Sequence, residues 1–392
     1  MNSNKIISFI FIFGMLIPTS INKEITVVFF SIGLAILLVL LLFLLYKQGK
    51  ISISSLAIFV VFHLLLILFT FTSPFVEVRY YATMYFLILT LIFCLNFNTL
   101  KIEMELYRKI LNVVNVISAI FSFSIIFGFT PIVDILENWY SYFYDELISS
   151  AILLKKPVNT FTTHSIAGFY SFIFFLMNIL TFVVLKRKIH LLYSLMYMMF
   201  LFFMQSSTSL VYFALCFGAI IVVFRRYKLV TFFGVSLLLV YIMMDFQSFS
   251  IIDMINEKLF SKKNGLMVRY DETTGVLGEQ IDLLLSNPFR GYGYTVLPGL
   301  PYVDSGYIEY ALRGSIFGLG LIILGLFFFL KRNLGFKMGF IILMIFLSFE
   351  VGFSNLIYFR SLFIMPFLVA YLTQLKKVSV INKVQEYVLK KI

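Results

Sequence analysis

Residues 25–46 run without a single charge, and that stretch restricts the fold more than any other feature of the chain. About 18–20 apolar residues carry a helix through bilayer hydrocarbon. In lipid the backbone has no water to bond, so only helices and closed β-barrels can span. A barrel reads as weakly alternating segments of about ten residues, and the chain has none. Other long apolar runs follow at intervals. Hydrophobic residues make up 61% of the chain and mean hydropathy is +1.00, whereas soluble domains are roughly 45–50% apolar. Forty-nine Phe and 23 Tyr, with one Trp, suit a lipid-facing surface. The expected class is an all-α polytopic membrane protein.

Hydropathy sets spans at about 6–19, 25–46, 52–75, 81–97, 110–129, 166–185, 189–205, 209–224, 229–244, 314–330, 338–354 and 356–373. Alternate connections are basic: Lys47 and Lys50; Lys101, Arg108 and Lys109; Lys186, Arg187 and Lys188; Arg225, Arg226 and Lys228; Lys331, Arg332 and Lys337. With Lys5 and five tail lysines, that side holds 20 of the 31 basic residues but three of the 19 acidic ones. The positive-inside rule then predicts about 12 transmembrane helices with both termini cytoplasmic. The net charge of +12 becomes a topology signal, which removes nucleic acid as a partner. Lys5 precedes a short apolar run, but residues 17–20 (IPTS) make a poor cleavage site, so the run reads as a retained first span.

This assignment treats 1–392 as a single integral membrane domain with two sizeable external segments, about 130–165 and about 245–313. Unstructured loops beyond about 12–15 residues are uncommon unless functional. Within the longer one, residues 250–260 and 278–285 have apolar positions every three or four residues, the pattern of short amphipathic helices on a membrane surface. Cys94 and Cys216 lie inside apolar spans without a CxxC partner and read as small core hydrophobes. The sequence has no zinc or haem spacing, P-loop, GxGxxG, HExxH or convincing carboxylate pair for a metal. The expected chemistry is metal-independent, with no cofactor.

Ionisable groups in such a chain gather where a substrate path or catalytic cavity needs them. Arg269 stands in GLMVRYDETTGVL between the two amphipathic segments. Arg290 stands in NPFRGYGY, where Pro288, Gly291 and Gly293 imply a tight turn whose backbone can approach a ligand. Arg313 opens span ten ahead of Gly314, Gly318 and Gly320, a spacing that also suits close helix packing. Arg79 (FVEVRYY) has Glu77 beside it, and Arg360 lies in the expected span LIYFRSLFIMPF with Glu350 as its natural ion-pair partner. Guanidinium groups can clamp a phosphate bidentately, although snorkelling or local ion pairing would also account for single arginines.

His63 is read as buried mid-span and His190 as structural on the cytoplasmic side. His164, in NTFTTHSIAGFY, opens span six among Thr160, Thr162, Thr163 and Ser165. It is either a helix-start residue or a general base, since histidine titrates near neutrality. Glu309 and Asp304 are the other external candidates for a base. Tyr292, Tyr294, Tyr302, Tyr307 and Tyr310 could stack on sugars or form an interfacial aromatic belt.

Taken together, many spans, a large external loop, Asn287-Pro288-Phe289-Arg290-Gly291-Tyr292-Gly293 and the segment YIEYALRGSIFGLG entering a late span resemble the O-antigen polymerase and ligase superfamily. The first motif looks like that family's NPxxGxG signature. Residues 305–310 stand where many members carry HNxYLE, with Ser305 and Gly306 in place of His-Asn. Residues 163–168 are similar to the HPN region, and residues 205–209 (QSSTS) to the TxSR turn without its arginine. The missing histidine argues against the ligase subgroup.

The resemblance implies a GT-C-like fold and a metal-independent, inverting glycosyltransferase of the Wzy polymerase type in the bacterial cytoplasmic membrane, active on its extracytoplasmic face. It would pass a growing O-antigen or capsule glycan from undecaprenyl pyrophosphate to the non-reducing end of a new lipid-linked repeat unit. Lipid-linked oligosaccharide and membrane lipid are the implied partners, with a chain-length regulator and a flippase beside them. Arg290 and Arg313 would hold one pyrophosphate, and Arg269, Arg79 or Arg360 the other. Tyr292 and Tyr307 would contact substrate, and His164 or Glu309 would serve as base. The alternatives are an O-antigen ligase and a flippase or transporter of the same units.

Overall fold

The structure, a computed structural model, describes residues 3–16, 32–43, 51–78, 80–99, 103–140, 145–161, 163–224, 277–295 and 305–389, with residues 3–4, 80–84, 145, 221–224 and 382–389 as backbone only. Arg79, Arg269, Tyr302 and Asp304, the expected span 229–244 and the amphipathic segment 250–260 lie outside the described residues. Every regular element among the described residues is helical, and the sole strand-type pairing is an isolated antiparallel bridge between Val78 and Thr295.

The helices are α1 Ser3–Leu16, α2 Ile32–Phe43, α3 Ile53–Thr72, α4 Tyr80–Cys94, α5 Met104–Phe127, α6 Thr130–Tyr140, α7 Asp145–Leu153, α8 His164–Leu185, α9 Lys188–Phe203, α10 Ser207–Phe224, α11 Gly278–Ser286, α12 Gly306–Leu334, α13 Phe336–Glu350 and α14 Ser361–Leu389. Five are long and apolar enough to cross a bilayer: α3, α5, α8, α12 and Ser361–Ile381 of α14. The chain is a helical membrane protein. α11 matches the expected amphipathic segment 278–285.

Two boundaries differ from the sequence reading. α12 begins at Gly306, well before the expected 314, because Glu309, Tyr310 and Arg313 find buried polar partners and need not stay in a solvated loop. Arg360 does not sit inside a span. The links after α13 include a short 3₁₀ turn, Asn355–Ile357, so α14 starts only at Ser361 and Arg360 precedes it, fully buried.

By contacts the chain divides into two compact units. The first comprises Met1–Leu16, Phe29–Ile110 and Met267–Ile392, and the second Ile17–Val28 and Leu111–Leu266. In the first, α12 packs on α3, α13, α11 and α14, and α1 packs on α14. Glycines admit the close approach of α12 to α3: a Cβ at Gly325 would lie 2.6 Å from the Phe59 ring, and one at Gly318 would touch Phe62 at 3.4 Å.

One end of the first unit is fastened by basic and amide side chains that take the orphan carbonyls of helix C-termini. Arg332 donates through Nη1 to Ser55 Oγ (2.9 Å) and through Nη2 to the carbonyls of Phe93 and Leu95 (2.7 Å each). Asn333 accepts from the Phe97 amide (2.7 Å), Lys376 donates to the Leu334 carbonyl (3.0 Å) and Lys377 to the Asn98 carbonyl (2.9 Å). These cations, which the sequence reading used only as a topology signal, also close α4 and α12.

In the second unit α8 and α9 form a tight hairpin that turns at Lys186 (φ 56°), and α10 packs on both. The QSSTS segment is a reciprocal helix cap: the Ser206 amide donates to Ser209 Oγ (2.9 Å) and the Ser209 amide to Ser206 Oγ (3.1 Å).

Arg332→Ala removes three donated bonds and takes the side-chain donor from the Phe93 carbonyl, while the Leu95 carbonyl keeps Asn333 Nδ2 (3.3 Å). Polar contacts between membrane helices are worth about 0.6–1.7 kcal/mol each, so thermal melting in detergent should shift clearly downward. Lys337→Ala, an exposed site, should leave the melting temperature where it is.

Candidate functional site

The motif NPFRGYG begins just after α11, whose C-terminal Leu284 carbonyl accepts from the Asn287 amide (3.3 Å). Asn287 and Pro288 then turn the chain, with the Arg290 amide donating to the Asn287 carbonyl (3.1 Å). This loop lies against α12 where the helix is broken. Ser315 has φ 60° and ψ −177°, a left-handed setting that non-glycine residues hold only under constraint, at about 1–3 kcal/mol.

The break has a complete hydrogen-bond account. In an unbroken helix the carbonyls of Leu312 and Arg313 would accept from the amides of Ile316 and Phe317. Instead they accept from Tyr292 (2.7 Å) and Gly293 (2.9 Å) of the loop, while Ile316 donates to the Pro288 carbonyl (3.2 Å) and Phe317 to Ser315 Oγ (3.3 Å). The loop's glycines are what allow this. A Cβ at Gly291 would strike the Arg313 carbonyl, and one at Gly293 (φ 59°) would strike the Leu66 carbonyl and Thr70 of α3.

Arg313 sits at the break and is only 2% exposed. Its Nε donates to Glu309 Oε1 one turn earlier (3.1 Å), and its Nη1 donates to the carbonyls of Gly293 (3.4 Å) and Thr295. Among the described residues its Nη2 has no hydrogen-bond acceptor, which leaves two of five donors available. Arg290, in contrast, is exposed and donates one bond to the Thr72 carbonyl at the end of α3. Arg313 and Arg290 bond to adjoining parts of the loop and the α3 terminus, because Thr295, which accepts from Arg313, also bonds through Oγ1 to Ser73 Oγ (3.1 Å), next to Thr72, which accepts from Arg290. Guanidinium donors fixed in advance in this way can hold an anion.

A chain of hydrogen bonds runs from this loop into α3 and α4. Thr90 Oγ1 donates to the Phe86 carbonyl (2.7 Å) and so accepts from His63 Nε2 (2.8 Å), and His63 Nδ1 meets the Tyr294 hydroxyl at 2.6 Å. A neutral His63 in this chain carries its proton on Nε2 and accepts from Tyr294. The Tyr294 amide donates to Thr70 Oγ1 (2.9 Å). Reading the sequence missed His63 and Thr70 as partners of the loop, and gave Tyr294 only as a residue that could stack on sugars or join an aromatic belt. The available signal was positional: His63, Leu66 and Thr70 recur at three and four residues along one face of α3.

The other expected residues are placed as follows. Glu309 is 5% exposed and committed to Arg313. Tyr292 packs on Phe75, with ring centroids 5.7 Å apart, and Tyr307 donates to the Leu347 carbonyl (2.6 Å). Glu350 does not pair with Arg360 among the described residues. It accepts from the Tyr310 hydroxyl (2.7 Å) and from the amides of Asn355 (3.1 Å) and Leu356 (3.0 Å), bonds that set the 3₁₀ turn ahead of Arg360. A Cβ at Gly306 would strike the Glu350 carboxylate. His164 belongs to the second unit, at the first position of α8, where Thr163 Oγ1 caps the helix by accepting from the Ile166 amide (3.3 Å). No group of metal-ligating residues occurs among the described residues.

No family model, curated protein or solved structure matches the chain. What stands is a helical membrane protein with a spanning-length helix broken at a buried arginine and braced there by a glycine loop.

Gly293→Ala should unseat the loop and lower the melting temperature sharply, since it combines a left-handed φ with two contacts that cannot yield. Gly320→Ala should be neutral or stabilising by up to about 1 kcal/mol, because nothing lies within 4 Å of a Cβ there and alanine favours helix. Glu309→Gln leaves Arg313 as a buried unpaired cation and should cost about 3–5 kcal/mol, read as a loss of folded protein in detergent melts.

Proposed function

We propose that the protein is a polysaccharide polymerase of the cytoplasmic membrane, a metal-independent inverting glycosyltransferase that acts on undecaprenyl-pyrophosphate-linked repeat units at the extracytoplasmic face. The observation that carries this reading is the break in α12, where among the described residues Nη2 of Arg313 has no acceptor and Arg290 stands exposed on the adjoining loop. Breaking the bond between a sugar and its lipid pyrophosphate develops negative charge on the leaving phosphate. Fixed cations stabilise that charge more in the transition state than in the ground state.

In this reading Arg290 and Arg313 hold the departing pyrophosphate, and Glu309 keeps Arg313 in place. Within the first unit the candidate base for the acceptor hydroxyl's proton is Glu309. Glu309 would have to give up its ion pair to do so. The topology of about twelve spans with cytoplasmic termini belongs to the same proposal, on the strength of the alternate basic connections.

The broken helix itself favours a second reading, since discontinuous spanning helices often line substrate sites in transporters. A deletion strain separates the two. Single-unit glycan on the cell surface supports the polymerase, whereas lipid-linked units retained inside support a flippase. In the complemented strain Arg290→Ala should abolish long-chain polysaccharide on gels while the protein remains in the membrane at normal abundance. A normal ladder from that variant would exclude its role.

A further inference from the structure

The turn between α12 and α13 gathers cations that the proposed activity does not use. Lys331 and Arg332 lie in the last turn of α12, and Lys337 is the second residue of α13. Lys376 of α14 comes to the same turn, where its Nζ donates to the Leu334 carbonyl (3.0 Å) and would lie 3.2 Å from a Cβ at Gly335. Lys377 arrives through Asn98. It donates to the Asn98 carbonyl (2.9 Å), and Asn98 Nδ2 donates to the carbonyls of Arg332 (2.9 Å) and Asn333 (3.3 Å). Five cations thus meet at one helix end. Glu309 and Glu350 belong to the opposite ends of α12 and α13, and the chain has no acidic residue between them or from 351 to 381. Glu105, at the start of α5, is paired with Arg108.

Arg332, Lys376 and Lys377 are bonded to helix-end carbonyls, whereas Lys331 and Lys337 are exposed and fasten no element. The Lys331 ammonium stands over the Phe327 ring, 5.8 Å from its centroid. That ring begins an aromatic strip along the hairpin. Phe327 meets Phe336 edge-on at 6.2 Å, and Phe336 stacks with Phe340 at 6.2 Å. The strip forms because α13 touches the α12 backbone beside it: a Cβ at Gly339 would lie 2.9 Å from the Lys331 amide nitrogen. Phe336 is 61% and Phe340 46% exposed.

Exposed apolar side chains alone are what any spanning helix offers to lipid, and a lone lysine at its end would simply snorkel to the interface. Here a strip of rings on a spanning-length helix leads directly to a group of five positive charges. The complementary ligand joins apolar chains to an anion. A zwitterionic headgroup brings its own cation into that group and is disfavoured, while a free phosphate has no use for the rings. We propose that the α12–α13 turn binds a phospholipid with a net negative headgroup, its phosphate at Lys331 and Lys337 and its acyl chains along Phe327, Phe336 and Phe340.

Native mass spectrometry of the intact protein in non-ionic detergent, titrated with phosphatidylglycerol or with phosphatidylcholine of the same acyl chains, tests this independently of the proposed activity. Wild type should retain one copy of phosphatidylglycerol about tenfold more tightly than phosphatidylcholine. The double variant Lys331→Gln with Lys337→Gln should lose that preference, while its melting temperature in lipid-free detergent stays where it is. Lys188→Gln, which removes an exposed cation of the second unit, should keep the preference. Equal retention of the two lipids by wild type, or an undiminished preference in the double variant, would overturn the site. Loss of the preference in Lys188→Gln as well would mark a general attraction of basic surface to anionic lipid and defeat the proposal equally. Displacement of phosphatidylglycerol by an equal concentration of inorganic phosphate would show that the rings take no part, and would replace the lipid by a free anion.

Discussion

Lipid offers a broken helix no replacement hydrogen bonds, and the architecture around α12 follows from that. Opening the helix at Ser315 frees two amides and two carbonyls. The loop that begins at Pro288 answers three of them with its own backbone, and the Ser315 hydroxyl answers the fourth. The exchange demands that loop and helix backbones touch, which only glycine permits at 291 and 293. A sequence motif that looks like a ligand-binding turn is therefore first a splint. Its reach toward a ligand is a consequence of where the splint must lie.

The same geometry decides what Arg313 can do. A guanidinium buried beside a helix break would be prohibitive alone, but Glu309 one turn away and two loop carbonyls offset its desolvation. The carbonyls of Gly293 and Thr295 are free to accept because the loop amides of Tyr292 and Gly293 point the other way, into the break. His63, bonded to Tyr294 and Thr90, ties the loop to α3 and α4. Among the described residues Arg313 is thus both a structural staple and a donor with capacity left over, whereas Arg290 makes a single side-chain bond, to the α3 terminus, and stays accessible.

The helical membrane class could be read from uncharged runs such as 25–46, and α11 from its three- and four-residue spacing, because both signals are local. The sequence singled out Arg290, Arg313 and Glu309 around one loop, yet which of them is buried and which exposed was not visible. Pairing of Arg313 with Glu309 at one helical turn requires that α12 begin at Gly306, and hydropathy alone assigns those polar residues to a loop. Arg360 was misplaced for a related reason. The 3₁₀ turn that expels it from the span is made by Glu350, a contact across two elements that no window along the sequence contains. His63 was dismissed as core because its partners, Tyr294 and Thr90, are remote in the chain.

Gly306 and Glu350 form a unit with a consequence for descent. The carboxylate occupies the volume that any side chain at 306 would need, so an asparagine there and a glutamate at 350 exclude each other. A lineage moving between the two states must change both positions together or pass through an intermediate with a void or a clash. Among relatives with this architecture the identity at 306 should therefore forecast the identity at 350.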